Sequence, residues 1–211
     1  MKRSTLIWLK TFVWIACLCP FADLLWGAVN NSLGPDPTAE IASVTGLSAL
    51  WMLAITLAIS PVRKLSVHLA WLIKFRRLIG LFVFFYGTLH LLTWIALYNN
   101  FNLTAMLDDA TKRRFVTMGL ATWLLLLPLG LTSTNWAIRK LGGKSWNRLH
   151  MLIYPAAICA TIHYWWKVKT GVLSPAPFTV VLAALLLVRP VIAWSQRRKV
   201  RVVAAGTAKV G

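Results

Sequence analysis

Apolar residues run along this chain in long uninterrupted blocks, separated by short polar stretches, with no sustained strand-like alternation. A membrane-crossing helix needs about 20 mostly apolar residues. Six blocks approach or meet that length: 6–29, 47–60, 78–98, 115–132, 149–167 and 177–194. The second is the shortest, and Val44 and Thr45 extend it. Between the blocks lie connections rich in breakers and charges, such as NNSLGPDPTAE, NNFNLTAMLDDATKRR and TSTNWAIRKLGGKSWNR. None is long enough for a soluble domain. The pattern predicts an all-α integral membrane protein, a six-transmembrane-helix bundle, as a single domain over 1–211. Its core covers about 6–194, followed by a short basic tail, 195–211. No repeat at a fixed period stands out, nor an inverted pair of broken helices of the kind transporters use.

Composition supports the membrane assignment. Of 211 residues 58% are hydrophobic and 12 are Trp, well beyond an ordinary soluble domain. The net charge of +18 would suggest nucleic acid in a soluble chain, but the positive residues cluster between the apolar blocks. Counted on alternate sides, eighteen Lys and Arg fall on one side with both termini, and only Lys112, Arg113, Arg114, Lys167 and Lys169 on the other. All five acids, Asp23, Asp36, Glu40, Asp108 and Asp109, lie on or near that second side. The positive-inside rule therefore predicts cytoplasmic termini, with the tail near anionic headgroups. The N-terminal block lacks a clear cleavage site and reads as a retained first span. Cys17, Cys19 and Cys159 sit inside apolar blocks without a CxxC, and read as small buried hydrophobes.

Only four histidines occur: His68, His90, His150 and His163. Ionisable groups inside a spanning helix are costly and usually functional, and imidazole is the common axial ligand of haem iron. With the topology above, His90 lies about 18 Å along the third span and His163 about 21 Å along the fifth, at roughly 1.5 Å per residue. Both spans run outward, so the two imidazoles fall at similar depth in the outer half. That arrangement suits a six-coordinate haem held between two helices, and equally two histidines hydrogen-bonded to neighbouring backbones.

His150 begins the fifth span, thirteen residues before His163. At about 100° per residue the two would face differently in a straight helix, although Pro155 between them permits a kink. Two sites at two depths are favoured over one site using both. Opposite His150, the third span offers Arg76 and Arg77 in KFRRLIG, which suit carboxylate or phosphate groups and also serve as ordinary positive-inside anchors. Haem propionates or the phosphate of FMN are their candidate ligands. His68, in SVHLAW, reads as interfacial. Tryptophans near block ends, including Trp8, Trp26, Trp71, Trp94, Trp146 and Trp166, read as interface anchors, and Gly80 and Gly87 as points of close helix or haem approach.

The segments LGPDPTAEIASVTGLSAL, ISPVRKL, RRLIGLFVFFYGTLHLLTW, LTSTNWAIRKLGGKSW and NRLHMLIYPAAICATIHYWW, in this order, resemble those of the haem-binding membrane subunits of bacterial protein-methionine-sulfoxide reductase systems, within the ferric reductase-like transmembrane family. The resemblance implies a six-helix b-type haem protein of the bacterial inner membrane, with FMN as a second candidate cofactor. Such a protein passes electrons to a periplasmic molybdopterin-containing methionine sulfoxide reductase and so supports repair of oxidised periplasmic proteins. By position it makes His90 and His163 the axial pair of the outer haem, and His150 a further metal ligand or the neighbour of a second cofactor. Relative to two-haem members of the wider group, Arg76 or Arg77 stands where a fourth histidine would be. The chain also carries no Gly-rich dinucleotide motif. Electrons are therefore expected from a separate cytoplasmic flavin reductase or from quinol, and the terminal reduction is expected in the partner.

Two other readings stay open on the residues alone: a proton-coupled transporter using intramembrane histidines, and a non-catalytic anchor or assembly subunit. The spans hold almost no acids to partner the histidines, which weighs against the first.

Overall fold

The computed structural model describes residues 3–168 and 175–188, and these form helices joined by short turns. In chain order they are α1 (Arg3–Val29), α2 (Pro37–Leu65), a 3₁₀ segment (Val67–Leu72), α3 (Ile73–Leu92) continued by a π-helix (Thr93–Tyr98), α4 (Leu103–Lys112), α5 (Arg114–Leu131), α6 (Asn135–Leu141), α7 (Gly143–Leu149), a 3₁₀ turn (His150–Leu152), α8 (Ile153–Lys167) and α9 (Ala176–Val188). Among the described residues, four stretches are long and apolar enough to cross a membrane: Arg3–Val29, Pro37–Lys64, Val67–Tyr98 and Arg114–Leu131. The helices α8 and α9 are shorter, and the expected basic tail lies outside the described residues.

The second span begins ten residues earlier than the hydrophobic pattern predicts, because the polar stretch before it is a helix start. Asp36 caps α2 by accepting from Ala39 N at 2.9 Å, Pro37 opens the first turn, and Glu40 sits at the positive end of the helix dipole. Arg63 and Lys64 occupy its last turn, where cations are favoured.

The most extensive packing joins α2 to α3 and α5 to α8, so the bundle is built around two helix pairs. Between them lies a core of Leu53, Leu57, Phe82, Val83, Leu126, Leu129 and Ile153. Ala156 and Ala157 are fully buried, small residues where helix surfaces meet closely. Large apolar side chains point outward, among them Trp8, Phe12, Trp26, Leu124 and Val180. So much exposed apolar surface is expected of helices facing lipid.

Helix α1 is held by an uncommon device. Pro20 interrupts its hydrogen-bond ladder, and the fully buried Tyr86 of α3 inserts its hydroxyl there. Tyr86 Oη donates to Cys17 O at 2.7 Å and accepts from Phe21 N at 3.1 Å, bridging two groups that a straight helix would pair directly. Cys17 is buried as its sequence context suggests. Cys19, expected to be buried as well, is exposed, and Cys159 is half-buried.

Candidate functional site

His90, near the end of α3, and His163, in the last turns of α8, come together with ring centres 5.9 Å apart and ring planes nearly perpendicular, at 87°. Each ring is oriented by the neighbouring helix of its own pair. His90 Nδ1 lies 2.9 Å from the carbonyl oxygen of Ala42 on α2, and His163 Nδ1 lies 2.7 Å from that of Phe115 on α5. A carbonyl only accepts, so both Nδ1 atoms carry the proton and both Nε2 atoms keep a lone pair. Metal-ligating histidines are commonly oriented in this way.

The backbone makes room for the rings at two glycines. A Cβ on Gly46 would stand 3.1 Å from His90 Nδ1 and Cε1, and one on Gly119 would stand 2.9 Å from His163 Nδ1 and 3.0 Å from its Cε1. In each case the glycine lies one helical turn after the accepting carbonyl. The two arrangements correspond: Ala42, Gly46 and His90 map onto Phe115, Gly119 and His163, each 73 positions further along. The histidine-to-carbonyl separation is 48 residues in both. A repeat is thus present in the geometry, although none stands out in the residue pattern. Its offset also maps Arg77 onto His150.

Two adjoining cavities, of about 280 Å³ and 630 Å³, share His90 and His163 in their walls. The smaller runs inward along Leu50, Leu53, Val83, Gly87 and Leu126. The larger reaches Trp94, Tyr98, Asp109 and Arg113, beneath α4. Among the described residues no three His, Cys, Asp or Glu side chains cluster as a metal site. Two imidazoles with free Nε2 atoms, in a glycine-cleared slot with apolar walls, therefore match a metal whose remaining ligands come from a flat macrocycle. The residues present fit a haem.

His150 stands apart from this pair. It stacks on Trp146 at 3.7 Å between ring centres, with Nδ1 3.1 Å from Trp146 O. Its Nε2 is 3.4 Å from Ser133 Oγ, whose own hydroxyl donates to Leu129 O at 2.7 Å. Arg76 lies near enough for its charge to act on the ring. Arg77 donates to Asn135 Oδ1 at 2.5 Å, which ties the start of α3 to α6. His68 is exposed on the 3₁₀ segment. Trp94 and Trp146 donate their indole N–H groups to Asp109 Oδ2 at 2.8 Å and Thr132 O at 2.9 Å.

Fold and site together define a class: a membrane helix bundle that brings two imidazoles to one slot between two helix pairs. The family model described as "Ferric reductase like transmembrane component" matches residues 39–161, which include His90, both glycines and His150 and end two residues before His163. Curated relatives include the "Protein-methionine-sulfoxide reductase heme-binding subunit MsrQ" of Xanthomonas axonopodis pv. citri, 45% identical with 88% of this chain and 87% of that protein covered. The protein of the same name in Herminiimonas arsenicoxydans is 42% identical, with 90% and 88% covered. The chain belongs to the ferric reductase-like transmembrane family, and it is a multi-pass membrane protein similar to these heme-binding subunits.

Proposed function

We propose that this chain is the haem-binding, electron-transferring membrane subunit of a protein-methionine-sulfoxide reductase system. The observation that carries the reading is the pair formed by His90 and His163. Each Nδ1–H is committed to a backbone carbonyl, and each Nε2 is left as a ligand at a common slot. In this reading the two histidines are the axial ligands of a b-type haem, which supplies a one-electron redox centre when bound. The protein's own part is to fix ligand identity, keep the slot apolar and hold each imidazole through its carbonyl, and these set the potential.

The wider assignment extends this reading, supported by the family relationship and by the charge pattern of the sequence. Six spans with both termini in the cytoplasm of the bacterial inner membrane place the histidine pair in the outer half. Electrons then leave toward a periplasmic molybdopterin-containing catalytic subunit and arrive from a cytoplasmic flavin reductase or quinol. His150 is proposed as a further ligand or as the neighbour of a second cofactor, such as FMN. Its Nδ1 is committed like those of the outer pair, and Arg76 supplies positive charge near its ring.

A reduced-minus-oxidised visible spectrum of the purified protein, with haem and flavin quantified, tests this. A b-type signal that disappears in His90→Ala and His163→Ala, while both variants still insert, is the expected result. A six-coordinate spectrum surviving in both variants would overturn the ligand assignment, and transport by chromophore-free protein in liposomes would favour the proton-coupled alternative.

A further inference from the structure

Among the described residues, the outer rim of the paired-histidine slot carries one cation that no carboxylate balances. Lys167 ends α8 one turn after His163 and lines both cavities. The other charges in the larger cavity's wall are matched. Asp109 accepts from Trp94 Nε1 and pairs with Arg113 Nε at 2.8 Å, and Asp108 pairs with Lys112 Nζ at 2.7 Å. The sequence holds five acidic side chains, all among the described residues, and none forms an ion pair with Lys167. In the 73-residue correspondence the position of Lys167 maps onto Trp94, so the lysine is what makes the two sides of the rim unlike.

We infer that Lys167 binds the acid groups of the porphyrin seated between His90 and His163, and so fixes which edge of the macrocycle faces the outer surface. The inference rests on the haem reading above. A flat apolar body with carboxylates on one edge matches a slot with apolar inner walls and the uncompensated ammonium of Lys167 at its outer mouth. An ammonium there forms a charge-assisted hydrogen bond with a carboxylate, and esterifying the carboxylate removes that charge.

The test uses the full-length chain produced under haem starvation, in detergent, titrated with hemin and with hemin dimethyl ester. The wild type should prefer hemin by about tenfold, the size of one charge-assisted hydrogen bond. Lys167→Gln should lower hemin affinity by about the same factor and leave the ester's unchanged, and Lys167→Arg should restore most of the preference. Equal affinities for the two probes in the wild type, or a Gln variant that weakens both or neither, would overturn the role of Lys167 while leaving the haem site in place. A wild type that gives a six-coordinate spectrum with neither probe would instead remove the haem reading itself.

Discussion

A methyl group at position 119 would press on His163 Nδ1 and Cε1 at 2.9 and 3.0 Å, and the imidazole could yield only by leaving the carbonyl of Phe115. Gly119→Ala should therefore lower the haem-to-protein ratio measured by pyridine haemochrome. Gly46→Ala, with contacts of 3.1 Å, should lower it less. Gly80→Ala serves as the control, since its nearest neighbour would be Thr56 at 3.8 Å, an ordinary contact, and it borders neither cavity. At this scale the histidines were legible in advance, because imidazoles deep in apolar blocks are rare and their depth follows from counting residues. Gly46 and Gly119 were not. Their role depends on a ring from another helix, and the oxygens that orient the rings belong to Ala42 and Phe115, whose side chains announce nothing. Depth counting also could not separate a ligand from a hydrogen-bonded histidine. Here Nδ1 is hydrogen-bonded and Nε2 is left over.

The helix pairs show which local signals survive folding. The stretch Gly34, Pro35, Asp36, Pro37 reads as a connection, but Asp36 and Pro37 are also a cap and a first-turn proline, and α2 uses them as such. Asp36→Ala should cost about 1 kcal/mol of stability, the usual value of a lost N-cap. The joint between α1 and α3 was not legible, since no rule links Pro20 to a tyrosine 66 positions away. Tyr86→Phe removes the hydroxyl that satisfies both Cys17 O and Phe21 N, and should cost about 1–3 kcal/mol. Thermal unfolding in detergent reads that loss. The haem content should not change, because Tyr86 borders neither cavity.

For the molecule as a whole, the charge pattern makes a topological prediction independent of any cofactor. With Cys17, Cys19 and Cys159 replaced by Ala, a membrane-impermeant thiol reagent applied from outside should label Lys112→Cys and leave Lys140→Cys unlabelled. The reverse pattern would invert the assignment. Neutralising Arg76 and Arg77 together should weaken an anionic cofactor at the His150 level, and unchanged flavin and haem contents would return both to simple anchoring. The correspondence between α2/α3 and α5/α8 has a consequence for how such a chain matures. Each hairpin supplies one imidazole with its own carbonyl and its own clearing glycine, so each half of the site is complete before the halves meet. In the proposed reading a haem would be a clasp across that seam, added to the core that Leu53, Val83, Leu126 and Ile153 already form between the two pairs.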